Sequence, residues 1–504
     1  MLYEPERADR YLWDTWLLWA EGRYHLFHMQ KVAGEADSLE IGHAVSDDLV
    51  RWTALEPALT LGPAGAWDRF RFRTGTVVPH GGRYHLFYGA APDMIDRVGV
   101  ATSADLRRWE RDPGNPVAVA DPRWYEHDAT ARPNGAVAWR DPCVRRDGDG
   151  WIMYLAARLN AGPPGGRGTV ATLRSPDLRR WEVGPPLDVP RGYAVMEVPD
   201  VFELDGRWFL LHSTSHRMGS RFPTCDPNLT AGTFVLWARD PQGPYERPPR
   251  DVLVGSPAHR MTAYVARTAE TPLGRIAYYH NAYPPPDDGN ARRPRGSVAL
   301  PKALAADERG LTLRYLPLLE PYRGPALAPP LAAAPTPAYG LPPGDWTLDG
   351  AGAGGRVAYG TAACLLRGAA PDLLLTTTLT IEAGQAAGLG LRIDARGRGL
   401  AVILDARAGS VEVAALTLSA TGAVWRALAA RAAPVRREAP LALRLVVLRD
   451  TVDVFLDGEL QLSVVAEGYG AGGVALLADD ARVRFEHFAA DALTVRDAAP
   501  AEGR

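Results

Sequence analysis

The chain has 504 residues, 56 of them basic and 59 acidic, for a net charge of −3. That balance gives no electrostatic case for nucleic acid or an anionic membrane. The length calls for more than one domain, or for one large β domain and a smaller one. Cys143, Cys225 and Cys364 are far apart and form no Cys-x-x-Cys pair, which speaks against a disulfide framework or a zinc site. There is no run of 18 or more apolar residues, and residues 1–7 lack a basic head followed by an apolar stretch. A soluble, cytoplasmic protein is expected, although a trimmed secreted chain would read the same way.

Taken in order, the chain repeats itself. Segments beginning at Gly22, Gly82, Gly150, Gly206 and Gly274 each place a glycine turn before an alternating strand, as in Gly22-Arg23-Tyr24-His25-Leu26-Phe27-His28. Three repeats continue into an apolar strand (41–45, 98–102 and 169–173). Each of these is followed by a Ser-x-Asp-Leu-x-x-Trp unit at Ser46, Ser103 and Ser175. The unit reads as an Asp turn with a Trp packed between neighbouring sheets. Strand, turn, strand, loop, strand, turn and strand make one four-stranded sheet, which cannot bury both faces alone. Stacking such sheets around an axis does so.

The predicted fold is therefore all-β, with a five-bladed β-propeller over residues 1–320. A Pro/Ala-rich linker is expected over 321–343, a β-sandwich over 344–497 and a polar tail over 498–504. The sandwich strands are read at 373–381, 388–393, 401–405, 441–448, 474–477 and 483–488. A hairpin over 452–462 turns through Asp457-Gly458.

Acids recur on the first strand of three repeats. Asp14 lies eight residues before Gly22, Asp141 nine before Gly150, and Glu197 nine before Gly206. The first strand of each blade lines the axial channel, so the three carboxylates are expected at one mouth of it, in nearly one register. The matching positions in the other repeats are Arg73-Thr74-Gly75 and Val265-Ala266, which would be wall. Converging carboxylates suit glycoside hydrolysis, where one acid protonates the leaving oxygen and a second carboxylate attacks the anomeric carbon or activates water. Read singly, Asp14 and Asp141 are ordinary turn formers. Glu197 in an apolar strand would need an Arg partner. Asp200 and Asp205 read as turn residues, and His212, His216 and His280 as core or surface histidines.

The motifs then carry a resemblance. Arg140-Asp141-Pro142 matches the Arg-Asp-Pro motif of glycoside hydrolase family 32, the β-fructofuranosidases, invertases and fructan hydrolases. Glu197-Val198-Pro199-Asp200 resembles its Glu-Cys-Pro-Asp motif with Val198 in place of Cys. Residues 297–304 resemble its closing Leu-Pro-Arg-Glu-Leu stretch, and Trp67-Asp68 with Arg73-Thr74-Gly75-Thr76 resembles weakly the segment holding its Ser-Gly-Ser. The nucleophile motif departs: Leu12-Trp13-Asp14-Thr15-Trp16-Leu17 keeps the Asp without the family's flanking Asn and Pro-Asn-Gly.

The resemblance implies a retaining mechanism, with Asp14 as nucleophile, Glu197 as general acid/base and Asp141 as transition-state stabiliser. Substrate-binding residues are expected at Trp13, Gln30, Trp67, Arg73, Thr74 and Arg140. It implies a carbohydrate substrate, sucrose or short fructans, with fructosyl transfer open to the same residues, and no cofactor or metal. Two other readings stay open: a furanosidase or xylosidase of the related propeller clan, and a sugar-binding propeller without catalysis.

Overall fold

The computed structural model describes residues 3–5, 9–32, 38–92, 94–128, 137–257, 262–282, 296–327, 344–349, 352–420 and 422–495. The expected tail lies outside these residues, as does the expected linker except for residues 321–327. Two compact units divide the chain, Met1–Thr312 and Leu313–Arg504. No α-helix occurs among the described residues, only short 3₁₀ turns, and no helix is long and apolar enough to cross a membrane.

The first unit has a propeller-like arrangement of antiparallel sheets. The first sheet is β1 (Arg10–Ala20), β2 (Arg23–Val32), β3 (Ser38–Ser46) and β4 (Thr53–Thr60). The second is β5 (Phe72–His80), β6 (Arg83–Ala90), β7 (Arg97–Ser103) and β8 (Glu110–Arg111). The third is β9 (Trp139–Asp147), β10 (Gly150–Arg158), β11 (Gly168–Ser175) and β12 (Glu182–Val183). The fourth is β13 (Glu197–Leu204), β14 (Arg207–Ser215), β15 (Ala231–Ala238) and β16 (Val252–Ser256).

After them come β17 (Ala263–Thr271), β18 (Gly274–Ala282), β19 (Gly296–Val298), β20 (Lys302–Asp307) and β21 (Gly310–Arg314). Among the described residues four separate four-stranded sheets thus form where five blades were expected. From β17 on, the strands do not close as a fifth. There β18 pairs first with β19 and then with β20. Pro301, which has no N–H to give to a ladder, stands in the break between the two. The inner strands β1, β5, β9, β13 and β17 pack each against the next, and β17 packs against β1.

The repeated Ser-x-Asp-Leu-x-x-Trp units explain how the sheets stack. In the first, the Ser46 hydroxyl accepts from the Leu49 amide, and Asp48 accepts from the amides of Val50 and Arg51. Leu49 is held at φ 64°, and its carbonyl accepts from the Trp52 indole. The Asp and Trp bonds recur at Asp105 and Asp177. Trp109 stands edge-on to Phe27 of the preceding sheet, and Trp181 edge-on to Phe87 of the sheet before its own.

The second unit is antiparallel throughout: β22 (Arg323–Ala326), β23 (Asp345–Leu348), β24 (Gly352–Arg356), β25 (Thr361–Ala370), β26 (Leu373–Ile393), β27 (Arg398–Asp405), β28 (Ser410–Ser419), β29 (Gly422–Ala432), β30 (Leu441–Leu448), β31 (Thr451–Leu456), β32 (Glu459–Val465) and β33 (Gly472–Leu493). Two pairs of short strands read from the sequence merge here. Residues 373–381 and 388–393 are one strand, β26, and residues 474–477 and 483–488 are one strand, β33. They pair along nearly their whole length, with register shifts that bend them. Leu373, Leu375, Leu379, Ile381, Leu389 and Leu391 of β26 meet Leu476, Val483 and Phe485 of β33 in one buried core. The β31–β32 hairpin turns through Asp457 and Gly458 as expected, both at positive φ.

Candidate active site

Each inner strand of the first unit carries a β-bulge at the same place. Two residues stand opposite one on the neighbouring strand: Trp13 and Asp14 in β1, Arg73 and Thr74 in β5, Asp141 and Pro142 in β9, Val198 and Pro199 in β13, and Val265 and Ala266 in β17. Asp141, Val198 and Val265, the first residue of three of these bulges, lie at φ 61°, 47° and 52°. A bulge bends its strand and re-aims the side chains beside it. The repeat therefore does more than line a channel, since it turns the same short segment of every inner strand.

Measured against the bulge, the three acids do not share a register. Glu197 precedes its bulge, Asp141 is the first bulge residue, and Asp14 the second. They still face one another. Arg140, before the bulge in β9, joins them: its Nη2 donates to Glu197 Oε1 at 2.9 Å, and its Nε lies 3.6 Å from Asp141 Oδ2. Asp141 Oδ2 also accepts from the backbone amide of Val198 at 3.1 Å, which ties β9 to β13. Thr74 Oγ1 donates to Asp14 Oδ2 at 3.0 Å, which ties β5 to β1.

Three residues that sequence reasoning missed complete the cluster. Asp96, with a fully buried side chain, accepts from Arg140 Nη1 at 2.9 Å and from Arg73 Nε at 3.1 Å. It lies in a loop outside the repeated strands, so no pattern pointed to it. Tyr264 donates its hydroxyl to Glu197 Oε2 at 2.9 Å. It precedes the β17 bulge, the position that Glu197 holds in β13, so aligning the strands on their bulges would have found it. His280 brings Nδ1 to 3.7 Å from Asp14 Oδ1, and its ring lies 4.9 Å from that of Trp13. It had been read as a core or surface histidine.

The remaining expected binding residues divide. Trp13 and Thr74 flank Asp14, and Arg73 reaches the cluster through Asp96. Gln30 turns away: its amide donates to Glu40 Oε2 at 2.6 Å. Trp67 stacks on Tyr88 at 5.7 Å and occupies the space over Gly99, as part of the packing between strands. Asp200, read as a turn residue, is instead buried within β13 and accepts from the Thr268 amide and hydroxyl at 2.7 and 2.9 Å. Asp205 does sit in a turn, at φ 51° before Gly206.

Burial and crowding set the charge state. Burial pushes the Asp14 carboxyl up to about 7, with Asp141 and Glu197 adding to the shift and the Thr74 bond opposing it. Asp141 is likewise raised by burial, against the pull of Arg140. Burial alone would lower the Arg140 pKa, but Asp96, Glu197 and Asp141 outweigh it and hold the guanidinium charged. Burial lowers His280 to about 3, so its ring is neutral. Four carboxylates and two guanidiniums thus form one cluster, in which burial keeps the proton on Asp14 up to near neutral pH. Among the described residues no group of three or more His, Cys, Asp or Glu is arranged to hold a metal ion.

Residues 15–222 match the profile of the Glycosyl hydrolases family 32 N-terminal domain. The match takes in Asp141 and Glu197 and begins one residue after Asp14. An insoluble β-fructofuranosidase isoenzyme 3 of Oryza sativa subsp. indica is 30% identical over 179 residues, 32% of this chain and 27% of its own length. The sucrose-6-phosphate hydrolase of Escherichia coli is 30% identical over 210 residues, 39% of this chain and 40% of its own. The chain thus spans less than half the length of the curated relatives it matches. Among solved structures, a Bombyx mori GH32 β-fructofuranosidase aligns over 97% of this chain and 94% of its own, with a TM-score of 0.64 and 17% identity. Fructan 1-exohydrolase IIa of Cichorium intybus aligns over 98% of this chain and 97% of its own, with a TM-score of 0.67 and 14% identity. The profile of the family 32 N-terminal domain is thus matched across the strands that carry Asp141 and Glu197, over residues 15–222 of the 504.

Proposed function

We propose that the chain is a retaining glycoside hydrolase acting on β-fructofuranosides, sucrose or short fructans, with fructosyl transfer open to the same site. The observation that carries this reading is the meeting of three acids from different inner strands, Asp141 and Glu197 on the Arg140 guanidinium and Asp14 close enough to feel both of their charges. The relatives' names and their family 32 profile support the substrate class.

In this reading Asp14 attacks the anomeric carbon while Glu197 gives its proton to the leaving oxygen, which breaks the glycosidic bond and leaves a glycosyl ester on Asp14. Glu197 then takes a proton from water, whose oxygen attacks the same carbon and frees Asp14. A second sugar in place of water gives transfer. Asp141, held by the Val198 amide and Arg140, faces the sugar hydroxyls as charge develops on the ring. The proton that burial places on Asp14 has to sit on Glu197 when the bond breaks. Moving it leaves the charge of the cluster unchanged, so sugar hydroxyls donating to the buried carboxylates suffice to drive it.

On the fold, we read β17–β21 as the fifth blade of a propeller catalytic domain over 1–320, and the second unit as a β-sandwich over 344–497. The ring of contacts among the five inner strands supports the first reading. A cytoplasmic location is part of the proposal, checked by cell fractionation.

The experiment is product analysis on sucrose, inulin, levan and aryl furanosides, with Glu197→Gln and Asp14→Asn as controls. Release of fructose with retained anomeric configuration, abolished in both variants, is the expected result. Activity that survives Asp14→Asn removes Asp14 from the nucleophile role, and no activity on any fructoside removes the substrate class.

A further inference from the structure

His280 is a cluster residue that the reaction above leaves without a part. It sits on β18 opposite Tyr264 of β17, with its side chain fully buried. Trp13 lies against its ring at 4.9 Å and Tyr264 meets it edge-on at 6.1 Å, so two inner strands fix the plane of the imidazole. At its edge, Nδ1 and Asp14 Oδ1 face each other at 3.7 Å. Both atoms are buried and neither has a hydrogen-bond partner. The other oxygen of the same carboxylate is already held by Thr74.

Buried polar atoms left unpaired are rare in native proteins and are disfavoured. Here a donor and an acceptor of matching type stand less than 1 Å beyond bonding distance. An ionised carboxylate can only accept, so the tautomer that suits it carries its proton on Nδ1.

We propose that His280 is the positioning residue of Asp14. When Asp14 ionises, the Nδ1–H of His280 closes onto Oδ1, and the carboxylate is then held by Thr74 on one oxygen and His280 on the other. The imidazole moves no proton. It fixes the plane of the attacking group and favours its charged form over the neutral one. The other charged groups facing Asp14, Asp141 from β9 and Glu197 from β13, act in the opposite sense. Tyr264 of β17 has its hydroxyl committed to Glu197, and Trp13 of β1 contributes only its ring. The inference rests on the reading of Asp14 as nucleophile.

The test compares His280→Asn, which keeps a donor, with His280→Leu, which is close to it in size and has none. His280→Phe serves as a second variant that fills the ring space. The readout is the titration midpoint of Asp14 in the full chain, followed by NMR of carboxyl-13C aspartate and assigned with Asp14→Asn. Beside it stands the alkaline limb of kcat/KM on sucrose, above which the proton that Glu197 needs is gone from the cluster. Loss of the donor is expected to move both midpoints up by about one pH unit in His280→Leu and His280→Phe, as a hydrogen bond to a charged group would. His280→Asn stays near the parent. At a pH above the parent limb, kcat/KM relative to its plateau is then about tenfold higher than in the parent. A merely structural histidine would lower thermal stability in all three variants and leave the Asp14 midpoint where it was, which overturns the proposal. The NMR titration needs no substrate, so failure to cleave any fructoside would count against the functional reading and not against this one.

Discussion

Asp14→Asn is expected to make the protein more stable as it removes the proposed nucleophile. A carboxyl that titrates at about 7 in the folded chain and at about 3.9 in the unfolded chain binds its proton more tightly when folded. Between those two values the folded state holds more protons, so stability falls as pH rises. Linkage puts the penalty at about 1.5 kcal/mol at pH 5 and about 4 kcal/mol at pH 8. Asparagine cannot ionise and keeps an acceptor for Thr74, so it escapes most of this, giving a gain of about 2 to 4 kcal/mol at pH 8 that fades toward pH 4. The assay is denaturant unfolding of parent and variant at several pH values, followed by a probe in the first unit such as its Trp fluorescence. A gain that is the same at pH 5 and pH 8, or a variant less stable than the parent at pH 8, would refute the reasoning.

Thr74→Val removes the donor on Asp14 Oδ2 while nearly keeping the side-chain shape. The alkaline limb of kcat/KM, set by the proton on Asp14, should rise by one to two pH units, roughly the worth of a hydrogen bond to a charged group, as read from a pH–rate profile. Glu197→Gln keeps the Arg140 bond on its oxygen and turns the Tyr264 bond round, its NH2 donating to the phenol oxygen, but it has no acidic proton to give, so kcat should fall about 10²- to 10⁴-fold while thermal unfolding changes little. Asp96→Asn leaves the Arg73 and Arg140 guanidiniums without their buried counter-charge. A loss of about 3 kcal/mol in urea unfolding is expected, with kcat/KM falling as Arg140 loses its anchor. In the second unit, Leu389→Ala in β26 opens a cavity in a fully buried core and should cost about 2 to 5 kcal/mol by the same assay.

How much of this was readable in the sequence depends on what kind of signal each part leaves. Strand alternation, the glycine turns and the Ser-x-Asp-Leu-x-x-Trp units are local patterns, and they located the sheets and the packing tryptophans. The break at Pro301 and the merging of strands in β26 and β33 depend on pairing partners far away in the chain, which alternation does not encode. The candidate site divides along the same line. Asp14, Asp141, Glu197 and Arg140 sit on repeated strands or in motifs and were found there. Asp96 comes from a loop, and Tyr264 and His280 are apolar-looking members of strands whose role appears only once the sheets are closed around them. Gln30 and Trp67 were expected to bind substrate, and their side chains are taken up by Glu40 and Tyr88 instead.

The offset among the three acids is the most informative of these differences. In sequence it looked like slack, to be absorbed by turn length. In the structure each acid stands at its own step around a bulge that all five inner strands share. Strands related by a common repeat would place identical side chains at identical heights. Carboxylates at one height would differ only by rotation about the axis, and their mutual repulsion would fall equally on all of them. Stepping them before, at and after the bulge breaks that equivalence. Glu197 takes Arg140 and Tyr264, Asp141 takes the Val198 amide, and Asp14 is left with a hydroxyl and a neutral ring. The environments differ, so each carboxylate has its own set of partners, as the proposed reaction with separate nucleophile and acid requires. A repeat supplies the convergence, and the stagger within it supplies the division of roles.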